Sequence, residues 1–238
     1  MEETIRKEVI RTEEDVWKML DSFLREPVPF WDEFYSNREK KIPFFEQKPD
    51  ENLVAHFTEG RWKSGRVLEL GCGPGRNAIY FAEQGCIVDA VDLSQEALTW
   101  AAERAKEQNV DVTFLHRNLF ELDIEEGIYD IVYDSGCFHH IAPHRRMSYL
   151  RVLQKALKRG GYFALTCFAE DGPLGGATIS DWDVYRLQSL QGGLGFTEEK
   201  LRVIFDMFEV VEIRPMKVLQ SDEVFGVDGL WTALFQVK

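Results

Sequence analysis

The run Val67-Leu68-Glu69-Leu70-Gly71-Cys72-Gly73-Pro74-Gly75-Arg76-Asn77 decides the fold. A short apolar run carrying Glu69 reads as a strand buried in a parallel sheet. Gly71, Gly73 and Gly75 follow at every second position, where they let the backbone turn sharply and approach a ligand closely. Ala78-Ile79-Tyr80-Phe81-Ala82 then resumes at helical period. A helix N-terminus therefore presents its free N–H groups to whatever lies over the glycines. Dinucleotide enzymes usually place the third glycine one residue further along. Here the spacing is G-x-G-x-G.

A second strand-like run, Ile87-Val88-Asp89-Ala90-Val91-Asp92, ends in an acid about 20 residues beyond the loop, the distance at which nucleoside-binding sheets place a ribose acceptor. A carboxylate at the tip of that strand accepts hydrogen bonds from both ribose hydroxyls. Asp92 is the residue for that role, while Asp89 sits inside the strand as a paired or solvated acid. Ser94 is a plausible N-cap for the helix that follows.

Loop and spaced acid together resemble motif I and its downstream partner in class I S-adenosylmethionine (SAM)-dependent methyltransferases. The resemblance implies an α/β protein: a Rossmann-like, doubly wound, seven-stranded and mostly parallel sheet with a terminal antiparallel hairpin strand. It also implies a SAM site built from Glu69, Gly71, Gly73, Gly75, Arg76, Asn77, Asp92, Leu93, Asn118, Leu119, Asp134 and Ser135, with S-adenosylhomocysteine (SAH) as product. Asn118 stands where many members carry an aspartate, and its side-chain oxygen can accept from the adenine amino group. Asp134, at the tip of the fourth strand, matches the motif lining the methionine and methyl end. It reads equally as a loop acid bonding neighbouring amides. Gly75-Arg76-Asn77, Tyr80, Gly85 and Val88-Asp89-Ala90 are similar to the tellurite-resistance branch, whose neighbours include thiopurine and thiol methyltransferases. Phe196-Thr197-Glu198-Glu199-Lys200-Leu201-Arg202 resembles that branch too. Its His-Arg pair ahead of the last strand is replaced here by Gln220-Ser221-Asp222-Glu223.

The rest of the chain fits one doubly wound domain over residues 63–238. A helix over Glu96–Gln108 carries Ala97, Ala101 and Ala105 four apart, a small-residue stripe for close packing. Strands are expected at Val112–Leu115, Tyr129–Tyr133 and Tyr162–Phe168, the last entered through an Arg159-Gly160-Gly161 turn after a helix over Arg145–Lys158. Thr197 caps a helix with Leu201, Ile204, Phe205 and Phe208 on one face. Strands near Glu209–Ile213 and Trp231–Val237 close the chain.

Residues 1–62 stand outside that pattern as an aromatic-rich helical extension. Val16, Trp17, Leu20, Phe23 and Leu24 make one amphipathic face, and Trp31, Phe34, Tyr35, Phe44 and Phe45 follow among prolines. The extension reads either as cladding on the sheet edge or as a lid that caps the cofactor and excludes water. The Ala169–Gly195 insertion, with Asp181, Trp182, Asp183 and Tyr185, is the opposing wall.

His139 and His140 are the candidate catalytic residues, because an imidazole can deprotonate a thiol or hydroxyl near neutrality. A metal role for His139, His140 and His144 lacks a completing acid or cysteine at zinc spacing. The sulfonium of SAM is already an activated electrophile, so in-line positioning of a soft anion needs no base at all.

A net charge of −13 gives no basic face for nucleic acid and repels anionic membranes, leaving a small-molecule methyl acceptor as the expected partner of a monomer or homodimer. Cys72, Cys86, Cys137 and Cys167 lack metal or redox spacing, and neither a signal peptide nor a long apolar run is present, so a cytoplasmic setting is expected. Two other readings share these features: a non-catalytic SAM- or SAH-binding regulatory protein, and a dinucleotide-dependent oxidoreductase.

Overall fold

The computed structural model describes residues 9–238, so residues 1–8 of the N-terminal extension lie outside the described residues. The extension forms α1 (Glu13–Asp21) and α2 (Pro27–Ser36), a 3-10 turn at Pro43–Phe45 and α3 (Glu51–Thr58). Then come β1 (Arg66–Leu70), α4 (Arg76–Glu83), β2 (Ile87–Asp92), α5 (Gln95–Glu107), β3 (Thr113–His116), β4 (Tyr129–Ser135), α6 (Arg146–Ala156) and β5 (Leu157–Phe168). The chain ends through α7 (Asp181–Leu187), α8 (Glu198–Ile204), β6 (Glu209–Pro215) and β7 (Leu230–Gln236).

One seven-stranded sheet has the order β3-β2-β1-β4-β5-β7-β6. Val67 pairs in parallel with Val88 on one side and Ile131 on the other, and β7 inserts antiparallel between β5 and β6. Strand order reverses between β1 and β4, so their C-terminal ends open the crevice where such sheets take ligands.

Alternation along the strands sorts the core into two faces. Leu68, Leu70, Val132, Phe163 and Leu165 pack with Tyr149 and Leu153 of α6 and with Phe205. Val67, Val88, Ile131 and Tyr133 face the other way, against Phe81 of α4 and against Leu53 and Trp62. The last part of the extension thus shares a core with the sheet.

Ser94 and Thr197 cap α5 and α8 through their side-chain oxygens, as their positions in the sequence indicate. Ala97, Ala101 and Ala105 are all buried, with Ala97 in the cluster of Tyr35 and Phe45 and Ala101 facing Gly75. Three local expectations differ from the structure. β5 takes in Leu157 and the Arg159-Gly160-Gly161 stretch, but its register against β4 shifts there, with Tyr129 opposite Leu157 and Ile131 opposite Tyr162, and Gly160 takes φ +75° at this irregularity. The helix expected over Arg145–Lys158 spans Arg146–Ala156, with Pro143–Arg145 forming a 3-10 turn ahead of it. α8 ends at Ile204, and Phe205 and Phe208 reach the core from beyond its end.

Candidate functional site

The three loop glycines all sit in the left-handed region, at φ +66°, +51° and +78° for Gly71, Gly73 and Gly75. Each has its own steric reason. A Cβ on Gly71 would lie 2.6 Å from Cβ of Cys137, and one on Gly75 would lie 2.9 Å from Cβ of Ala101. The loop is thereby pressed against the segment after β4 and against α5. A Cβ on Gly73 would meet the Tyr35 side chain, its hydroxyl at 2.9 Å, so α2 roofs this glycine.

Asp92 ties the tip of β2 to the loop. Its Oδ2 accepts from the Gly73 amide at 2.8 Å and its Oδ1 from the Ser94 amide at 2.9 Å. Burial raises the Asp92 carboxyl above its ordinary value, against the pull of those amides. Neighbouring Leu93 accepts at its carbonyl from the His116 ring at 2.9 Å. Asn118 Oδ1 accepts from the Phe120 amide at 3.0 Å and caps the turn that buries Leu119.

Glu69 shares the sheet face of Tyr133 and is buried. Its Oε2 has no hydrogen-bond partner, and burial drives its carboxyl well above the usual range, with Arg76 opposing. Beside it lies a charged network that the sequence did not announce. Arg76 Nη2 lies 2.6 Å from Asp50 Oδ1 and donates to Ser135 Oγ at 3.0 Å, while Nη1 donates to the Lys48 carbonyl at 2.8 Å. Asp50, fully buried, also accepts from the Tyr133 hydroxyl at 2.8 Å and from Asn77 Nδ2 at 3.3 Å. An acid after Pro49 looks like an ordinary helix-start residue, and no local signal separates it from one.

Asp134 lies on the opposite face from Glu69. Its Oδ1 accepts from the amides of Cys137 and Phe138 at 2.9 and 3.2 Å, and its Oδ2 from the Tyr149 hydroxyl at 2.7 Å. Burial pushes this carboxyl up to about 7. Its partners make it a positioning group for the turn at Phe138–His140, the bonding pattern of the loop-acid reading.

That turn carries the two candidate histidines. His139 is buried flat on Phe168, with ring centroids 3.7 Å apart, and its Nδ1 accepts from the Phe168 amide at 3.2 Å. His140 is half-buried against Trp31 of α2, with centroids 4.8 Å apart. Burial and the charge of Arg25 push its imidazole down to about 4, so the ring stays neutral near pH 7.

The extension and the insertion meet at His144. Its Nε2 lies 2.8 Å from Asp21 Oδ1 and its Nδ1 2.8 Å from the Tyr185 hydroxyl, which also accepts from the His144 amide. Arg145 pairs with the same Asp21. Asp32 Oδ1 accepts from Ser94 Oγ at 2.7 Å, and Arg104 donates to the carbonyls of Phe45 and Pro74. The extension is thus anchored beside both the loop and the cap of α5.

The family described as "Methyltransferase domain" matches residues 67–161. An uncharacterized methyltransferase of Schizosaccharomyces pombe is 33% identical over 104 residues, covering 44% of this chain and 72% of the relative. The chain belongs to this methyltransferase family. A Synechocystis methyltransferase, also uncharacterized, is 34% identical over 121 residues, 51% of this chain; the chain spans about half the length of that relative, 52%. Among solved structures, one from the conversion of a disulfide bond into a thioacetal group during echinomycin biosynthesis superposes with TM-score 0.69 at 22% identity, covering 89% of this chain and 91% of that one. A Burkholderia thailandensis 1,6-didemethyltoxoflavin N1-methyltransferase with bound SAH gives 0.61 at 23% identity, covering 97% and 92%. TehB of Haemophilus influenzae gives 0.58 at 20%, covering 79% and 62%. At these identities the structures speak for the fold.

The methyltransferase sheet brings Gly71, Gly73, Gly75, Arg76, Asp92 and Ser135 around one crevice mouth, with Glu69 and Asn77 in the layer behind. Two features of this chain fit SAM. Gly73 bares the loop backbone beneath the Tyr35 hydroxyl, where a Cβ would sit 2.9 Å from that oxygen, and the orphaned Glu69 Oε2 offers an acceptor for a cationic or amino group. No helix among the described residues is long and apolar enough to cross a membrane.

Proposed function

We propose that this methyltransferase-family chain binds SAM over the glycine loop and passes its methyl group to a small-molecule acceptor by in-line displacement. One observation carries the reading: three left-handed glycines form one loop whose middle amide is hydrogen-bonded to a strand-tip acid, beneath an aromatic roof. When bound, SAM supplies a methyl group on a positively charged sulfur. The chain's own residues do the rest. Asp92 takes the ribose hydroxyls with Leu93 beside it, and the free N–H groups of α4 face the charged end. Asn118 and Leu119 border the adenine. Glu69, Arg76, Asn77, Asp134 and Ser135 hold the backbone around the methionine portion. Of the extension, α1, α2 and the Pro43–Phe45 turn act as a lid on residues 63–238, and the rings of Trp31, Phe34 and Tyr35 keep water from the reacting groups.

The acceptor is a thiol, another soft anion, or a hydroxyl or amine. A general base at His139 meets an obstacle, since its Nδ1 already accepts from Phe168 and burial drives its imidazole well down. The tellurite and thiol branch is favoured by Gly75-Arg76-Asn77 and opposed by the missing His-Arg pair. Four free cysteines suit a reducing cytoplasm.

Calorimetry with SAM, SAH and NAD tests the proposal. SAM and SAH should bind and NAD should not; tight NAD binding or silence toward SAM would overturn it. SAH release over a panel of thiols, phenols, amines and acids then separates an enzyme from a silent binder.

A further inference from the structure

A continuous ceiling of rings runs from the glycine loop to the insertion. Tyr35 hangs over Gly73, and Trp31, one helical turn earlier on α2, stacks on it at 6.0 Å. Trp31 meets His140 nearly edge-on at 4.8 Å, and His140 lies 4.3 Å from His139 and 6.2 Å from Phe168. Gly193 of the insertion closes the far end, because a Cβ there would come within 2.9 Å of the Phe168 ring. Along this ceiling His139 is engaged through Nδ1. His140 lies beside it, half-buried among rings, and its ring nitrogens hold no hydrogen bond among the described residues. Unlike Glu69 Oε2, these nitrogens are not sealed from solvent, so they stand open to a hydrogen bond from a ligand.

Resting on the methyltransferase reading, we infer that Trp31, His140 and Phe168 form the acceptor subsite, shaped for a flat aromatic acceptor whose ionisable heteroatom is oriented by His140. Ring walls favour a planar guest, which packs edge-to-face or offset against them. The tip of the subsite adjoins the loop through Cys137, which touches Gly71, so an acceptor on His140 lies next to the cofactor cradle. In the transfer, the bond from methyl carbon to sulfur breaks as the bond from carbon to the acceptor heteroatom forms. The electron pair returns to sulfur, and the acceptor's proton, already acidic and only held in place by its hydrogen bond to the imidazole, goes to water.

The charged and titratable neighbours of His140 are Arg25, whose guanidinium lies over Phe30, and His139. They and burial leave the imidazole a weak base. It therefore suits acceptors that are already acidic, and it drives no proton from a simple alcohol.

The test uses the full chain with two probe pairs, benzenethiol against cyclohexanethiol and 4-nitrophenol against cyclohexanol. SAH release should favour an aromatic member roughly tenfold or more in kcat/KM, and calorimetry on SAH-loaded protein should show 4-nitrophenol binding where cyclohexanol does not. His140→Phe keeps a ring and should lower aromatic kcat/KM about tenfold. His140→Gln keeps an acceptor and should restore most of it. Both variants should bind SAM like the parent. Preference for the saturated probes, an unaffected His140→Phe variant, or SAM binding without turnover of any probe overturns the subsite while leaving the cofactor reading intact. Failure to bind SAM at all overturns both.

Discussion

Replacing Asp92 tests the cradle most directly, because that carboxylate serves two partners at once. Its oxygens accept from the Gly73 and Ser94 amides at 2.8 and 2.9 Å in a buried setting. Backbone bonds to a charged acceptor contribute about 1.5–3 kcal/mol each. Asp92→Ala should therefore lower folding stability by about 3 kcal/mol, taking the lower value for both bonds. Loss of the ribose bonds should cost a further 2–3 kcal/mol in SAM binding, about 30- to 150-fold in Kd at roughly 1.4 kcal/mol per tenfold. Asp92→Asn keeps one oxygen acceptor and should fall between. Urea denaturation reads the first effect and calorimetry with SAM the second. Free methionine, which lacks the ribose, should lose less than SAM. Unchanged SAM affinity in a folded Asp92→Ala variant would refute the ribose role, and equal losses for both ligands would reduce Asp92 to a brace for Gly73.

Gly73→Val places a β-branched residue at φ +51° beneath the Tyr35 hydroxyl, so SAM binding should vanish while the sheet persists by circular dichroism. Retained binding in that variant removes the cradle. Asp50→Ala leaves the Arg76 guanidinium buried without its acid, and stability should drop by about 3–5 kcal/mol in chemical denaturation. A drop below about 1 kcal/mol would mean that water replaces the carboxylate. Deleting residues 1–25 should spare SAH binding and strongly cut turnover; full activity would make the extension cladding. Acid should loosen the same lid. Burial lowers the His144 imidazole below its ordinary 6.5 despite Asp21, so the folded state resists the proton that the unfolded chain takes as pH falls below about 6.5. Burial raises the Asp21 carboxyl, but the hydrogen bonds and charge of Arg145 and His144 outweigh it, so that contribution is present above about 3.8 and lost below. Hydrogen exchange over α1 should quicken between pH 7 and pH 5.5 once corrected for intrinsic rates, and indifference to pH would break the link to His144.

The glycine loop and its strand-tip acid were legible because their parts are local. Strand, glycine turn and helix lie within residues 66–83, and Asp92 ends the next strand. Caps at Ser94 and Thr197 were equally plain, since a short polar side chain ahead of an apolar period has few other uses. What escaped reading is set by tertiary meeting points. Asp50 finds Arg76 across an intervening helix and strand, and Asp21 finds His144 across more than half the chain. The roof of Tyr35 over Gly73 depends on the angle of α2, which no periodicity encodes. Gly160 misled because a left-handed glycine marks a turn in most sequences and here bends a strand.

Asp50 also forms a bridge to Phe225, next door to the Glu51–Arg214 ion pair, and the Phe225 ring covers the Arg76 guanidinium. The brace behind the glycine loop is therefore finished by residues that leave the ribosome long after the loop itself. A nascent chain that has already made β1 and α4 still lacks the lock on Arg76 until the segment before β7 arrives. Pairings so distant along the chain are slow to form. The lock on Arg76 should consequently close only when the Phe225 segment emerges, well after the loop it braces, which makes the order of chain emergence, rather than the order of motifs, the clock for this brace.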